Sequence, residues 1–206
     1  MRGDDWRRLL HLAHTDRARV FQEYAAYYLS THGQRYWSDT HQLGTYLDGY
    51  HGEIDRLLAA PHQSSEMITE IYVPRLALAA FMDHGAELLR RGGVPVIYGT
   101  VRLIERDDES FLAWAREPWA CVILNLCVAH TPAGIAAAQN IFRDLIDLAI
   151  VFEGSYYLTY HRWATRAQIE ACHPRFREFL RLKVAHDPAE LFTSDWYRHH
   201  RALFAA

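Results

Sequence analysis

The order of patterned segments between residues 67 and 161 predicts an α+β domain. It is a ferredoxin-like β-α-β-β-α-β antiparallel sheet with helices on one face. Three observations carry this. The apolar period changes after Pro61–Ser65, from three- and four-residue spacing to strand-like runs. Two helix-period segments are each followed by a glycine stop, Gly92-Gly93 and Gly154, and then by a strand. Three of the strands show one wholly apolar face and one face with a polar residue near its middle, so the two sides of the sheet meet different surroundings.

Taken in order, residues 4–30 read as helix, with Trp6, Leu9, Leu10, Ala13, Val20, Phe21, Tyr24, Tyr27 and Tyr28 at helical spacing. Thr15-Asp16 offers a cap that splits this into two helices, and Gly33 ends the second. Residues 34–65 are aromatic and polar, with a short helical look from Leu47 to Leu58 and a linker at Pro61–Ser65. Residues 1–65 are therefore expected to form a helical lead-in, and residues 66–206 the main domain.

Residues 67–73 (MITEIYV) predict the first strand. Pro74 suits the first turn of a helix striped by Leu78, Phe81, Met82, Leu88 and Leu89. A second strand spans 94–105, followed by an acidic turn at Asp107–Glu109 and a short helix at 110–116. The third strand is 119–129. Thr131-Pro132 caps the next helix, striped by Ile135, Ile141, Phe142, Leu145 and Ala149. Residues 155–161 (SYYLTYH) predict the fourth strand, and helices follow at 165–172, 174–185 and 193–204.

Composition narrows the function classes. With 50% hydrophobic and 23% charged residues the chain has a globular balance. A net charge of -3 argues against a dedicated nucleic-acid binder. No apolar run approaches the ~18 residues of a membrane helix, and the start Met1-Arg2-Gly3-Asp4-Asp5-Trp6 is unlike a signal peptide. Cys121, Cys127 and Cys172 form no disulfide framework, so a reduced, cytoplasmic setting is expected.

Strand alternation places Val96, Tyr98, Thr100, Arg102 and Ile104 together, and Glu70 between Ile68 and Tyr72. The face without helices is thus expected to present Glu70, Thr100, Arg102 and Asn125, with Tyr157, Thr159 or His161 from the last strand. A mid-strand arginine among Tyr and Ile must be paired or bound. Two readings follow: a Glu70–Arg102 ion pair on a solvated face, or a substrate or anion site. The same face carries Ile68, Tyr72, Tyr98, Ile104 and Ile123, so a covering partner or a second copy of the chain is expected.

Three signatures resemble a known family: Glu70–Pro74 (EIYVP), Arg102 followed by Asp107-Asp108, and the ending from Phe176 through Asp187-Pro188 to Phe192. Over roughly residues 65–200 the chain resembles the C-terminal half of FAD-linked oxidases of the vanillyl-alcohol-oxidase-like superfamily, on the sugar-lactone and alditol oxidase branch. The resemblance implies a substrate or cap domain whose open sheet face covers a flavin ring. It also implies an FAD-dependent oxidation of a CH–OH centre in a small alcohol or sugar-like substrate. Arg102 would stabilise developing negative charge, Glu70 would orient it, and Thr100 and Asn125 would contact substrate. Tyr160 or His161 would act as base or proton relay. The family's acidic residue two positions before the arginine is Thr100 here, and its His-Trp-x-Lys segment corresponds to Tyr157–His161, without lysine.

The superfamily holds FAD in a separate domain with a Gly-rich phosphate loop, and no such stretch occurs among the 11 glycines here. The expectation is an incomplete enzyme, whether a truncated gene, a fragment or one member of a split pair, with FAD held mainly by an absent partner domain. The rival expectation is a non-catalytic ferredoxin-like interaction module.

Other groups carry weaker signals. Asp39, His41, His51 and Glu53 suit a metal by type but not by spacing. His11 and His14 share a helix face without a third ligand, and Arg198–Arg201 forms a small basic end. Cys121 and Cys127 lie about 20 Å apart along one strand face, too far for a disulfide. Trp37, Tyr46, Tyr50 and Trp196 supply aromatic surface for core packing or for a flavin edge.

Overall fold

A computed structural model describes residues 1, 3–35 and 49–205. Its four antiparallel strands are β1 (Ser64–Pro74), β2 (Val96–Ile104), β3 (Trp119–Ala129) and β4 (Ser155–Tyr156), in the spatial order β2-β3-β1-β4. This is the ferredoxin-like arrangement read from the sequence. The helices among the described residues are α1 (Gly3–Thr15), α2 (Arg17–Ser30), α3 (Tyr50–Leu57), α4 (Leu78–Gly92), α5 (Pro132–Val151), α6 (Arg166–Cys172), α7 (Phe176–His186) and α8 (Asp195–Ala205). None is long and apolar enough to cross a membrane.

Local chemistry explains the boundaries. Asp16 separates α1 from α2 by accepting the Arg19 amide at 3.0 Å. The Thr131 hydroxyl accepts the Gly134 amide at 3.0 Å with Pro132 in the first turn, and α5 begins there. Gly93 takes φ +65 where α4 ends, a conformation glycine adopts without Cβ strain. Thr165 and Gln168 form a reciprocal capping box that starts α6.

The main core lies on the helix side of the sheet. Ile71, Val73, Ala120, Val122, Leu124 and Leu126 meet Phe81 of α4 and Ile141, Phe142, Leu145 and Ile146 of α5. Their burial removes apolar surface at roughly 25 cal/mol per Å². A smaller cluster of Tyr72, Ala115, Trp119, Cys121 and Ile123 occupies one end of the opposite face.

The structure departs from the sequence reading in four places. The fourth strand is only Ser155–Tyr156, paired to Tyr72 and Ile71; beyond it the chain turns. Residues 110–116 form no helix: the Asp107 carboxylate takes the amides of Glu109 and Ser110 at 3.1 and 2.9 Å and organises an irregular loop. Pro74 precedes a 3-10 turn at Arg75–Ala77 instead of opening α4. A register shift between Val96 and Tyr98 places Val96 opposite Leu126, on the helix side, away from Tyr98 and Arg102.

The lead-in helices cover part of the second face. His14 of α1 lies 3.3 Å from Glu66 of β1, and Asp55 of α3 accepts the Ser64 hydroxyl at 2.6 Å. The expected bare apolar surface is correspondingly smaller. Tyr72 is 0% and Ile123 8% exposed, whereas Ile68 and Tyr98 remain open.

Candidate functional site

The face opposite α4 and α5 is defined by the ladder. Glu70 pairs with Ile123 and Tyr72 with Cys121 across β1 and β3; Thr100 pairs with Ile123, and Arg102 with Cys121, across β2 and β3. Cross-strand partners share a face. Glu70, Tyr72, Cys121, Ile123, Thr100 and Arg102 therefore lie together in the middle of this side.

Glu70 is the hub. Its Oε1 accepts the Tyr72 hydroxyl at 2.8 Å and the Cys121 thiol at 3.2 Å. Burial pushes both donors up, and the Glu70 hydrogen bond and charge push further, so both stay protonated. The Tyr160 phenol is also raised, by burial first and then by the charge and hydrogen bond of Glu70, with Arg102 partly offsetting. Tyr160 is 45% exposed and meets the Tyr157 ring edge-on at 4.7 Å.

Arg102 lies on the expected face but without the expected partner. Among the described residues it forms no salt bridge, and Glu70 bonds to Tyr72 and Cys121 instead. The arginine is exposed, yet its charge reaches both Cys121 and Tyr160. Its five donors thus face an open surface beside the Glu70 cluster. Of the two readings from sequence, the structure lacks the ion pair, and Glu70 does not hold Arg102.

His161 belongs elsewhere. The chain turns after Tyr156, so strand alternation does not carry residue 161 to the open face. The ring stacks 6.0 Å from Tyr156 and meets Phe142 edge-on at 4.1 Å, within the helix-side core. Its Nδ1 accepts the Trp163 amide at 3.3 Å, and burial lowers its pKa to about 4. Asn125 is buried and bonds to its cross-strand neighbour Tyr98, whose phenol is raised by burial and by Glu66 and lowered by that bond. Thr100 is exposed on the edge strand, between Tyr98 and Arg102.

The sequence reading missed Tyr72 and Cys121 as members of the site. Their signal was available in part, since residues 70 and 72 share a strand face; the facing of Tyr72 and Cys121 required the β1–β3 register. Trp114, meeting Tyr72 edge-on at 5.8 Å, was hidden by the expected helix at 110–116.

No group of three or more potential metal ligands occurs among the described residues. Glu53 pairs with Arg7, and the His51 ring lies tilted 3.9 Å from that of Tyr50, while Asp39 and His41 lie outside the described residues, as do Trp37 and Tyr46. At the basic end, Arg198 pairs with Asp195 and Arg201 with Glu190. Trp196 is a core side chain, its indole donating to the Leu158 carbonyl at 2.9 Å.

The FAD expectation divides in two. Exposed Tyr160 with Tyr157 and Trp114 offers aromatic surface suited to one side of a flavin ring. The described glycines with positive φ are Gly33, Gly49 and Gly93, isolated at helix ends, and none sits in a turn of successive amides suited to a pyrophosphate. The chain matches no protein-family model and no curated protein.

Proposed function

We propose that this chain is the substrate-side, cap-like half of an FAD-dependent oxidoreductase acting on a CH–OH centre in a small alcohol or sugar-like molecule, with the dinucleotide held by a separate domain. The observation that supports it most is the placement of Arg102, without an ion pair among the described residues, near Glu70 and Tyr160 on an aromatic, half-open sheet face.

In this reading the flavin supplies the hydride acceptor. Arg102 anchors the substrate oxygen and stabilises the negative charge that develops on it. Tyr160 is too weak an acid to act as a phenolate, so it serves as a relay. The substrate hydroxyl gives its proton to the Tyr160 oxygen while the phenol proton passes to Glu70. Tyr72 and Cys121 fix the carboxylate in place, and Thr100 lines the substrate side.

Lumiflavin, the isoalloxazine ring without a phosphate, tests the ring-covering part. Expected is saturable quenching of its fluorescence with a Kd on the order of 1 mM, weakened severalfold in Tyr160→Ala. Absence of saturable quenching overturns the reading. So does copurification of near-stoichiometric FAD with this chain alone.

Among the described residues the outer edge of β2 has no strand partner, which favours a second reading, an interaction module. Val101 and Leu103 are 46% and 67% exposed there.

A further inference from the structure

A cleft of about 360 Å³ lies away from the Glu70 cluster, between the loop of residues 106–113 and the α6–α7 junction. We propose that it binds a small, singly charged organic carboxylate bearing a neighbouring hydroxyl and an apolar body.

Both walls are built. The loop is held by the Asp107 carboxylate and by the Asp107 amide, which donates to the Ala115 carbonyl at 2.8 Å. Across the cleft, the Arg175 guanidinium sits 3.7 Å from the centre of the Phe111 ring and ties the walls together. Leu112, Ala113 and Pro174 give the lining its apolar part.

Charge accounting selects the anion. Arg106 pairs with Asp108 at 2.5 Å, Arg175 pairs with Glu178 at 3.2 Å, and Asp107 is committed to backbone amides. That leaves Arg116. Among the described residues it forms no ion pair; its bond is to the Gly154 carbonyl at 3.2 Å, and its guanidinium lies 5.4 Å from the Trp119 ring. Glu117 and Glu153 share the adjoining cleft with Arg116, and the Glu117 carboxylate accepts the Trp119 indole. One uncommitted guanidinium matches one carboxylate; a doubly charged phosphate monoester would need a second free cation.

The hydroxyl requirement comes from His173. This lining residue is 6% exposed, and its Nε2 is buried without a partner. A hydroxyl both donates and accepts, so it can satisfy Nε2 in either tautomer of the ring. Buried polar atoms without partners are rare in folded proteins. A ligand that brings an O–H beside its carboxylate satisfies Nε2 and Arg116 together, while its apolar body lies against Leu112, Ala113 and Pro174. The volume falls at the lower end for small-molecule sites.

Mandelate is the probe, with phenylacetate as its analogue lacking the hydroxyl and inorganic phosphate as the multiply charged control. Titrations of the full chain are run at constant ionic strength and followed by calorimetry. Expected is saturable mandelate binding, about tenfold tighter than phenylacetate, with phosphate weaker still. Arg116→Gln should abolish it. Ala113→Trp, which fills the cleft and leaves the Arg116–Gly154 bond in place, should abolish it independently if Arg116→Gln fails to fold. Arg102→Gln should leave it unchanged. No saturable binding of mandelate overturns the proposal, as does equal affinity for phenylacetate, preference for phosphate, or binding that survives Ala113→Trp. Loss of binding in Arg102→Gln places the ligand on the open sheet face instead and also overturns it.

Discussion

The Tyr72 hydroxyl donates to Glu70 Oε1 at 2.8 Å from two residues farther along the same strand, and the donor's side chain is fully buried. Cys121, directly across the ladder from Tyr72, donates to the same oxygen. One half-buried carboxylate therefore satisfies two buried donors. The site and the small second core depend on each other through it.

Replacing Glu70 by Ala should orphan both donors. An unsatisfied buried donor costs about 1–3 kcal/mol, and a thiol less than a phenol. The expected loss is about 2 kcal/mol in urea unfolding, with Tyr72→Phe in the same background recovering much of it. A Glu70→Ala protein as stable as the parent would mean that water enters and replaces the carboxylate.

Arg102 should behave oppositely. It is exposed and forms no ion pair among the described residues, so Arg102→Ala should change the unfolding free energy by less than about 0.5 kcal/mol. In an assay with its flavin-holding domain supplied or fused, turnover should fall by about 100-fold or more, the range for loss of a charge-stabilising group. Circular dichroism and steady-state kinetics measure the two quantities. Unchanged turnover would remove Arg102 from the site.

The part of this architecture legible in the sequence was the part that follows from period and caps. The β1–β3 strands, the glycine stop at Gly92-Gly93 and the Thr131-Pro132 start of α5 all appear where local chemistry requires them. What escaped was set by tertiary contacts. Residues 157–161 alternate like a strand, but the ladder ends at Tyr156, and His161 is drawn between Phe142 and Trp163 in the core. The 110–116 run has helical composition, yet Asp107 captures its first amides in a turn. The partners of Glu70 depend on cross-strand register, which no local pattern encodes.

Two buried histidines should make the fold acid-sensitive. Burial lowers His161 and His173 from 6.5 to about 4. Between these values the unfolded chain binds more protons than the folded one, so stability is full above about pH 6.5 and is lost as pH falls toward 4. Each ring contributes up to about 3 kcal/mol over that window. Urea midpoints at a series of pH values give the slope. His161→Phe, which cannot titrate, should flatten it; an unchanged slope would assign the acid sensitivity to other groups.

Gly154 sits where the end of α5 meets β1. A Cβ there would lie 2.1 Å from the Tyr72 carbonyl oxygen and 3.0 Å from that of Ala149. Neither is a flexible side-chain end, so Gly154→Ala must displace backbone, at a cost of roughly 2–4 kcal/mol. The displaced strand is the one that carries Glu70 and Tyr72. Thermal unfolding should show the loss, and near-ultraviolet dichroism should report the disturbed tyrosine cluster. Gly85→Ala, whose Cβ would only touch Leu148 at 3.9 Å, serves as the tolerated control.

The outer edge of β2 predicts self-association. The strand carries one charge, Arg102, and its neighbours Val101 and Leu103 are exposed on the helix side because α4 and α5 do not reach that far across the sheet. Edge strands are normally protected by several charges, prolines or bulges; here the register shift near Ile97 is the main device within the strand. Two copies pairing antiparallel about Thr100 would set Arg102 of one against Tyr98 of the other. That opposes a cation to an aromatic ring and places no like charges together. Light scattering over a concentration series should show a dimer whose population rises with concentration. Leu103→Lys should shift it to monomer by placing a new charge on each copy at the joined edge. A parent protein that stays monomeric at high concentration would show that Arg102 and the bulge already suffice to keep the edge apart.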